Sequence, residues 1–177
     1  LTEITIPDSV TELDALMFES CSNLETVVIG NGATKIPNRA FVWCRNLKNV
    51  IIGNNVTTIE VNAFYDCSSL TEIVIPDSVI CIENGAFKYC SALNSITFGD
   101  NVSEIGNEVF LGCTQLKAVV FSNEEQKTKF APMFSSDAQF YVCPSGHEYS
   151  GDCDEKCNIC NFPRTTDAEH NYILNHG

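Results

Sequence analysis

The sequence predicts an α/β-type repeat solenoid, built mostly of short parallel strands, with a small Cys/His-rich tail at its C-terminal end. Three observations lead to this fold class. Apolar residues recur with a period of 23 over most of the chain. Each repeat contains the alternation of apolar and polar residues that is typical of a strand. Nine of the ten cysteines form two groups, one spaced with the repeat and one crowded into residues 143–160.

The strand of each repeat comes first. Each 23-residue line begins with a leucine and carries an apolar residue at its fourth and sixth positions. Alternate residues of a strand face the same side, so L-x-x-I-x-I predicts a short strand with these side chains turned inward. One coil cannot bury them alone, whereas stacked coils share a continuous core. We therefore predict a solenoid of six coils, the last one partial, over residues 1–121.

A tight turn, a second short extended segment and a bend complete each coil. Segments such as IPDS and IGNG place Pro or Gly before Asp or Asn, which suits a tight turn. The bend carries a phenylalanine and, three residues later, a cysteine. The cysteines of this column are Cys21, Cys44, Cys67, Cys90 and Cys113. Neighbouring coils lie about 4.8 Å apart, whereas a disulfide needs Cβ atoms at about 3.8 Å, so we predict free, buried thiols.

Cys81 does not belong to that column. Its column is otherwise polar and consists of Glu12, Lys35, Thr58 and Glu104. We therefore expect Cys81 to be exposed or half exposed. A neutral surface substitution is the favoured interpretation, and a redox or pairing role is the alternative.

The repeat also resembles a known family. The pattern L-x-x-I-x-I-P-D-S-V-x-x-I, followed by A-F-x-x-C-x-x-L, resembles the leucine-rich repeats of BspA-like bacterial surface proteins. The resemblance covers residues 1 to about 121. It implies a secreted or cell-surface bacterial protein that binds host or bacterial proteins, often as an adhesin. It implies no catalytic residues and assigns no binding residue.

The repeat pattern ends after Phe121, where the phenylalanine and cysteine columns disappear. We predict a helix from Glu124 to Phe130 and a final strand from Ala138 to Val142. Residues 122–142 then form a cap over the open end of the solenoid, as repeat proteins require. The N-terminal end shows no such cap, so we expect further coils, and any export signal, to precede Leu1 in a longer chain.

Two surfaces of the coils are candidates for ligand binding. The first follows the fifth position of the strands, which is apolar and turned outward in the middle coils at Val28, Ile51 and Val74. β-propensity alone also explains these residues. The second candidate is an aromatic patch for a sugar or protein partner. It consists of Trp43, Tyr65 and Tyr89, for which local packing is the alternative.

Composition narrows the function. The formal net charge of −13 argues against nucleic acid or an anionic membrane as a partner, and no apolar run is long enough for membrane insertion. We predict a non-enzymatic binding module for a host or bacterial surface protein. A structural spacer is the alternative, and a hydrolase is disfavoured because the repeats contain no interruption with non-periodic acidic residues or histidines.

The tail, residues 143–177, has too few apolar residues for a core of its own, so a metal or disulfides would have to stabilise it. Its ligand pattern is H-x5-C-x3-C-x2-C-x9-H. Cys153, Cys157 and Cys160 with either His147 or His170 would form a tetrahedral Cys3His site for one structural zinc ion. Two disulfides that include Cys143, or an unliganded tail, are the alternatives. Short Cys/His repeats at the ends of some gut-bacterial surface proteins are similar.

Overall fold

The computed structural model describes residues 1–143, which lie within the first of two units of the chain, Leu1–Gly146. These residues form a parallel-strand solenoid, as the period of 23 predicts. The elements are β1 (Glu3–Ile6), β2 (Thr26–Ile29), β3 (Lys35–Ile36), β4 (Asn49–Ile51), β5 (Thr58–Ile59), β6 (Glu72–Val74), β7 (Cys81–Ile82), β8 (Ser95–Thr97), β9 (Glu104–Ile105), β10 (Ala118–Phe121), helix α1 (Glu124–Phe130), a 3-10 helix (Ala131–Met133) and β11 (Gln139–Val142).

Coils two to five each contribute strands to two different sides of the solenoid. The long strands form the sheets β1-β2-β4 and β6-β8-β10-β11, and the short strands form the sheet β3-β5-β7-β9. Every pairing is parallel, and within the repeats the register advances by one repeat, as with Ile73 and Ile96 in the long strands. The side chains of each inward column therefore stack directly on one another, which is why one apolar column is visible in the sequence.

The third side of the coil is the bend, here called the turn face: residues 14–21 and their equivalents at 23-residue spacing. Its phenylalanine rings form a stack through the core, with centroids 5.2 Å apart between Phe41 and Phe64 and 5.3 Å apart between Phe64 and Phe87. All three rings are fully buried. Offset stacking of this kind adds to the free energy gained by burying the apolar area.

The backbone of the turn face is not a strand. Each coil places two residues, four positions apart, in the left-handed region with φ between 54° and 83°. These pairs are Leu16 and Ser20, Arg39 and Trp43, Asn62 and Asp66, Gly85 and Tyr89, and Glu108 and Gly112. In the first four coils, the N–H groups of these residues, and that of the phenylalanine between them, donate to carbonyls of the following coil, as from Phe41 to Ala63 at 2.8 Å. The turn face is therefore a third ladder of hydrogen bonds between coils.

The column cysteines support this ladder. The Sγ atom of Cys67 donates to the carbonyl of Phe41 in the preceding coil at 3.2 Å, and Cys90 does the same to Phe64 at 3.1 Å. Cys44, Cys67 and Cys90 are buried and free, as predicted. The prediction of buried thiols is wrong at the two ends of the cysteine column. Cys21 and Cys113 are only half buried, because they lie in the first and last coils that carry the bend.

The predicted cap is present. α1 spans the predicted residues, and β11 begins one residue later than expected. Gln126 on α1 is buried, and its Nε2 atom donates to the carbonyls of Gly99 at 2.9 Å and Val102 at 3.0 Å. Phe134 stacks on Phe110 at 5.0 Å and continues the ring stack. The cap thus covers the core with the rings of Phe130, Phe134 and Phe140 and with one fully hydrogen-bonded amide.

Candidate functional site

The outward side of the long strands, here called the strand face, carries the first predicted site. Val74 is exposed, with 62% of its surface accessible. Val28 and Ile51 on the two preceding coils are half buried. Val28 and Ile51 are register partners in paired strands, so their side chains point to the same side. The structure therefore gives this row a common, partly apolar surface on a rigid sheet.

The solvent-exposed part of the strand face is shorter than the column of fifth-position residues predicts. The outward column was expected to face solvent along its whole length, yet Val120 in the last repeat is buried, with 1% of its surface exposed. Tyr141 of the final strand lies in register with Val120 and points to the same side. The open apolar surface is therefore confined to the middle coils.

Charged groups border this surface on the neighbouring column. Lys48 and Glu25 form an exposed ion pair with Nζ and Oε2 2.9 Å apart. The amide of Asn49 lies 3.5 Å from the hydroxyl of Thr26. A small apolar row within a polar border is the usual composition of a protein-binding surface.

The predicted aromatic patch lies on the turn face, and the structure brings two of its three members together. The Tyr65 and Tyr89 rings meet edge to face with centroids 5.3 Å apart. Lys88 Nζ lies 5.3 Å from the centre of the Tyr89 ring and forms a 2.6 Å ion pair with Glu108. The hydrogen bond that Lys88 donates to the Glu108 carboxylate raises the pKa of Lys88, so this ammonium stays charged.

Trp43 is the third aromatic residue and stands apart from the tyrosine pair. Its backbone N–H donates to the Tyr65 carbonyl at 2.9 Å, while its ring, 42% exposed, makes no stacking contact within residues 1–143. Trp43 and Tyr89 occupy the second left-handed position of their coils, whereas Tyr65 lies one residue earlier in its coil. The two predicted binding surfaces, the apolar row on the strand face and the aromatic residues on the turn face, lie on different sides of the coil.

The thiols of the solenoid are poorly suited to catalysis. Burial raises the pKa of Cys44 to about 11 and raises the pKa of Cys67 and Cys113 as well. Cys81 is half exposed, as predicted, yet partial burial followed by the charge of Glu104 also raises its pKa. A nucleophilic cysteine needs the opposite shift, toward the thiolate.

The predicted zinc ligands lie outside the described residues. These are His147, Cys153, Cys157, Cys160 and His170. Within residues 1–143, no group of three or more His, Cys, Asp and Glu side chains could hold a metal ion. Cys143, the last described residue, is buried, and its N–H donates to the Phe121 carbonyl at 2.8 Å.

Sequence reasoning missed a role of the Asp/Asn column of the tight turns. These side chains link the coils to one another. Asp8 Oδ1 accepts from the Asn31 N–H at 2.7 Å, and Asn31 Oδ1 accepts from the Asn54 N–H at 2.8 Å. The recurrence of a short oxygen-bearing side chain at 23-residue spacing was the available signal. These groups are committed to stacking the coils, so we do not place them in a binding site.

No helix in the described part of the chain is both long and apolar enough to cross a membrane. No curated protein matches the sequence. Solved structures do match. A leucine-rich repeat protein from Bacteroides ovatus is 28% identical, with a TM-score of 0.71, over 79% of this chain and 36% of its own. The T. pallidum leucine-rich repeat protein is 27% identical, with a TM-score of 0.65, over 67% of this chain and 58% of its own.

A third match, the pneumococcal vaccine antigen PcpA, is 20% identical with a TM-score of 0.66, over 82% of this chain and 42% of its own, and supports the fold alone. The chain spans less than two thirds of the length of each of these proteins. Residues 1–117 and 34–152 match the BspA type leucine rich repeat region. These matches cover most of the chain and coincide with the coils described above. The chain therefore belongs to the BspA-type leucine-rich repeat family.

Proposed function

We propose that this protein is a non-enzymatic binding module of the bacterial cell surface or extracellular space that captures a host or bacterial surface protein on its strand face. The observation that supports this most is the partly exposed apolar row of Val28, Ile51 and Val74 on the outward side of three successive long strands. Stacked coils hold such side chains in fixed positions, which reduces the entropy lost on binding.

Charge favours a protein partner over other classes of macromolecule. The formal net charge is −13 and the sequence pI is about 4.4. A phosphate backbone or an anionic lipid surface would be repelled by such a chain. A neutral or basic protein surface would not be repelled. Long-range attraction to a basic surface would also raise the association rate at low salt.

Surface location is part of the same proposal. The resemblance to BspA-like surface proteins supports it, and PcpA, which shares the fold, is a pneumococcal vaccine antigen. A protein exported to that environment would meet host matrix proteins directly. An adhesin-like role is therefore the form of binding that we propose.

The double variant Ile51→Glu/Val74→Glu tests this function. The purified chain, its double variant and the control Ile80→Glu are each used to capture proteins from a host extracellular matrix extract. Ile80 is 48% exposed and precedes β7 of the short-strand sheet. Ile80→Glu therefore makes the same apolar-to-acidic change on a side of the coil other than the strand face. We expect the double variant to bind a captured partner at least about tenfold more weakly and the control to bind normally. Equal affinity of all three proteins would contradict the proposal.

For the tail, we propose one structural zinc ion bound by Cys153, Cys157 and Cys160 with His147 or His170. Thiolates and an imidazole at this spacing suit tetrahedral zinc, and four protein ligands leave no open position for catalysis. Metal analysis should find about one zinc per chain. A chelator should unfold the tail, while the circular dichroism of the solenoid stays unchanged. Absence of zinc, together with oxidised tail cysteines in mass spectrometry, would favour disulfides instead.

A further inference from the structure

The hydrogen-bond ladder of the turn face is directional. In the fourth coil, the N–H groups of Gly85, Phe87 and Tyr89 donate to carbonyls of the fifth coil at 3.0, 3.1 and 2.7 Å. The three preceding coils repeat this arrangement at the equivalent positions. All of these donors point toward the C-terminal end. The peptide dipoles on this side therefore add, as they do along a helix, and the ladder must end in a row of N–H donors.

That last row lies in the fifth coil and consists of Glu108, Phe110 and Gly112. Glu108 and Gly112 keep the left-handed conformation of their column, with φ of 57° and 83°, so the three N–H groups point away from the fourth coil. None of them has an acceptor within the described residues. The reason lies in the cap, where a 3-10 helix, Ala131–Met133, replaces the next bend and presents no matching row of carbonyls.

A cavity of about 380 Å³ lies against this row. It is bounded by residues 108–114 and Leu116 on one side and by residues 133–135 of the cap on the other. Leu111 and Met133, both among its lining residues, are 46% and 40% exposed. The site thus combines main-chain donors without acceptors and exposed apolar side chains, which is the combination that binds an extended peptide at the edge of a sheet.

We propose that this edge binds an extended peptide segment of a partner protein, whose alternate main-chain carbonyls accept from Glu108, Phe110 and Gly112. The preceding coils supply the template, because there the three N–H groups always meet carbonyls of alternate residues. The central residue of each acceptor segment is small and apolar: Ala40, Ala63, Ala86 or Val109. The occupant should therefore carry a small apolar residue opposite Phe110.

Neutral carbonyls fit this edge better than a free anion does. The Glu108 carboxylate lies at the edge, where it pairs with Lys88 at 2.6 Å, and the chain carries a formal charge of −13. Both charges would oppose an anionic ligand, whereas an uncharged peptide backbone is unaffected. This edge lies on the turn face and is independent of the strand face proposed above.

The probe is the capped peptide acetyl-Asn-Gly-Ala-Ala-Lys-amide, titrated into the isotope-labelled 177-residue chain. It copies residues 84–88 with alanine in place of Phe87, because Phe134 already stacks on Phe110. In the free chain, we expect fast amide exchange at Glu108, Phe110 and Gly112 and slow exchange at Phe87 and Tyr89, which are hydrogen bonded. The peptide should shift and protect the three edge amides in a saturable manner.

Variants at the cavity locate the binding. Leu111→Glu/Met133→Glu should weaken peptide binding roughly tenfold, while Ile80→Glu and the strand-face double variant should leave it unchanged. Slow exchange of the three amides in the free chain would show that the edge is already covered and would overturn the proposal. A peptide that shifts none of these amides, or that binds the cavity variant equally well, would also overturn it.

Discussion

The coils are joined on two sides by β-ladders and on the third side by a ladder of bends, and the two kinds of ladder end differently. β10 is extended by β11, with four residues in register, so the long-strand sheet continues into the cap. The turn face has no such continuation, and the donors of Glu108, Phe110 and Gly112 have no acceptor within residues 1–143. The cap therefore extends the long-strand sheet, whereas neither the turn face nor the short-strand sheet, which ends at β9, is continued within residues 1–143.

The difference shows which part of a repeat depends on which property of the chain. A β-ladder needs only extended backbone and alternating side chains, so a short irregular segment such as β11 can complete it. The bend needs two left-handed residues per coil and a buried ring between them. The capping segment lacks that pattern, so it cannot supply the matching carbonyls. An open edge is thus a consequence of how the repeat ends.

The largest expected effect comes from the ring stack. Phe64 is fully buried between Phe41 and Phe87, so Phe64→Ala should lower the free energy of unfolding by about 3–5 kcal/mol. Ile73→Val in β6, which removes one buried methylene group from a strand, should lower it by about 0.5–1.5 kcal/mol. Urea unfolding followed by circular dichroism measures both. Equal losses would show that the stacked rings are no more important than the strands.

The next effect concerns the cap. Gln126→Leu removes the donor that the buried carbonyls of Gly99 and Val102 share, and leaving them unpaired should cost about 2–3 kcal/mol. We expect amide exchange to accelerate in α1 and β11 and to stay unchanged in β2 and β4. Gln115→Leu, at an exposed position of the fifth coil, is the matched control and should change neither region. A uniform acceleration would mean that the cap and the coils unfold together.

The hydropathy and spacing of the residues predicted the strands well. The inward columns, the helix Glu124–Phe130 and the final strand follow from which residues are apolar and at what interval. The turn face could be placed by its Phe and Cys columns, but its conformation could not be predicted. Leu16, Arg39 and Trp43 are not residues that favour left-handed backbone. In the same columns, Asn62, Asp66, Gly85 and Gly112 pointed to it.

The candidate site was predictable only in part, for a related reason. A period of two shows which strand residues point outward, so the row at Val28, Ile51 and Val74 could be placed on one side from the sequence. The burial of Val120 could not be foreseen, because Val120 lies next to β11, a strand outside the repeat. The unpaired donors of the turn face are backbone groups, and no side-chain pattern in the sequence reports them.

The column thiols give a pH test of the turn face. Burial raises the pKa of Cys44 from 9.0 to about 11, and Cys67 and Cys113 shift in the same direction. The folded chain therefore retains protons that the unfolded chain loses, so stability should be constant below pH 9 and fall from pH 9 to about 11. Urea unfolding across this range measures the slope. Cys44→Ala should reduce the slope. An unchanged slope would mean that other titrating groups cause the loss of stability.

The smallest effect tests the left-handed positions themselves. Arg39, with φ of 54°, and Gly85, with φ of 65°, occupy the same position of different coils. Arg39→Gly removes a strain of about 1 kcal/mol but adds about 0.5–1 kcal/mol of entropy cost, so stability should change by less than about 0.5 kcal/mol. Gly85→Ala introduces that strain and places a Cβ against Asn62 Oδ1, so it should cost about 1–2 kcal/mol. If Gly85→Ala were as mild as Arg39→Gly, the bend would tolerate other backbone conformations, and the fixed row of donors in the fifth coil would lose its basis.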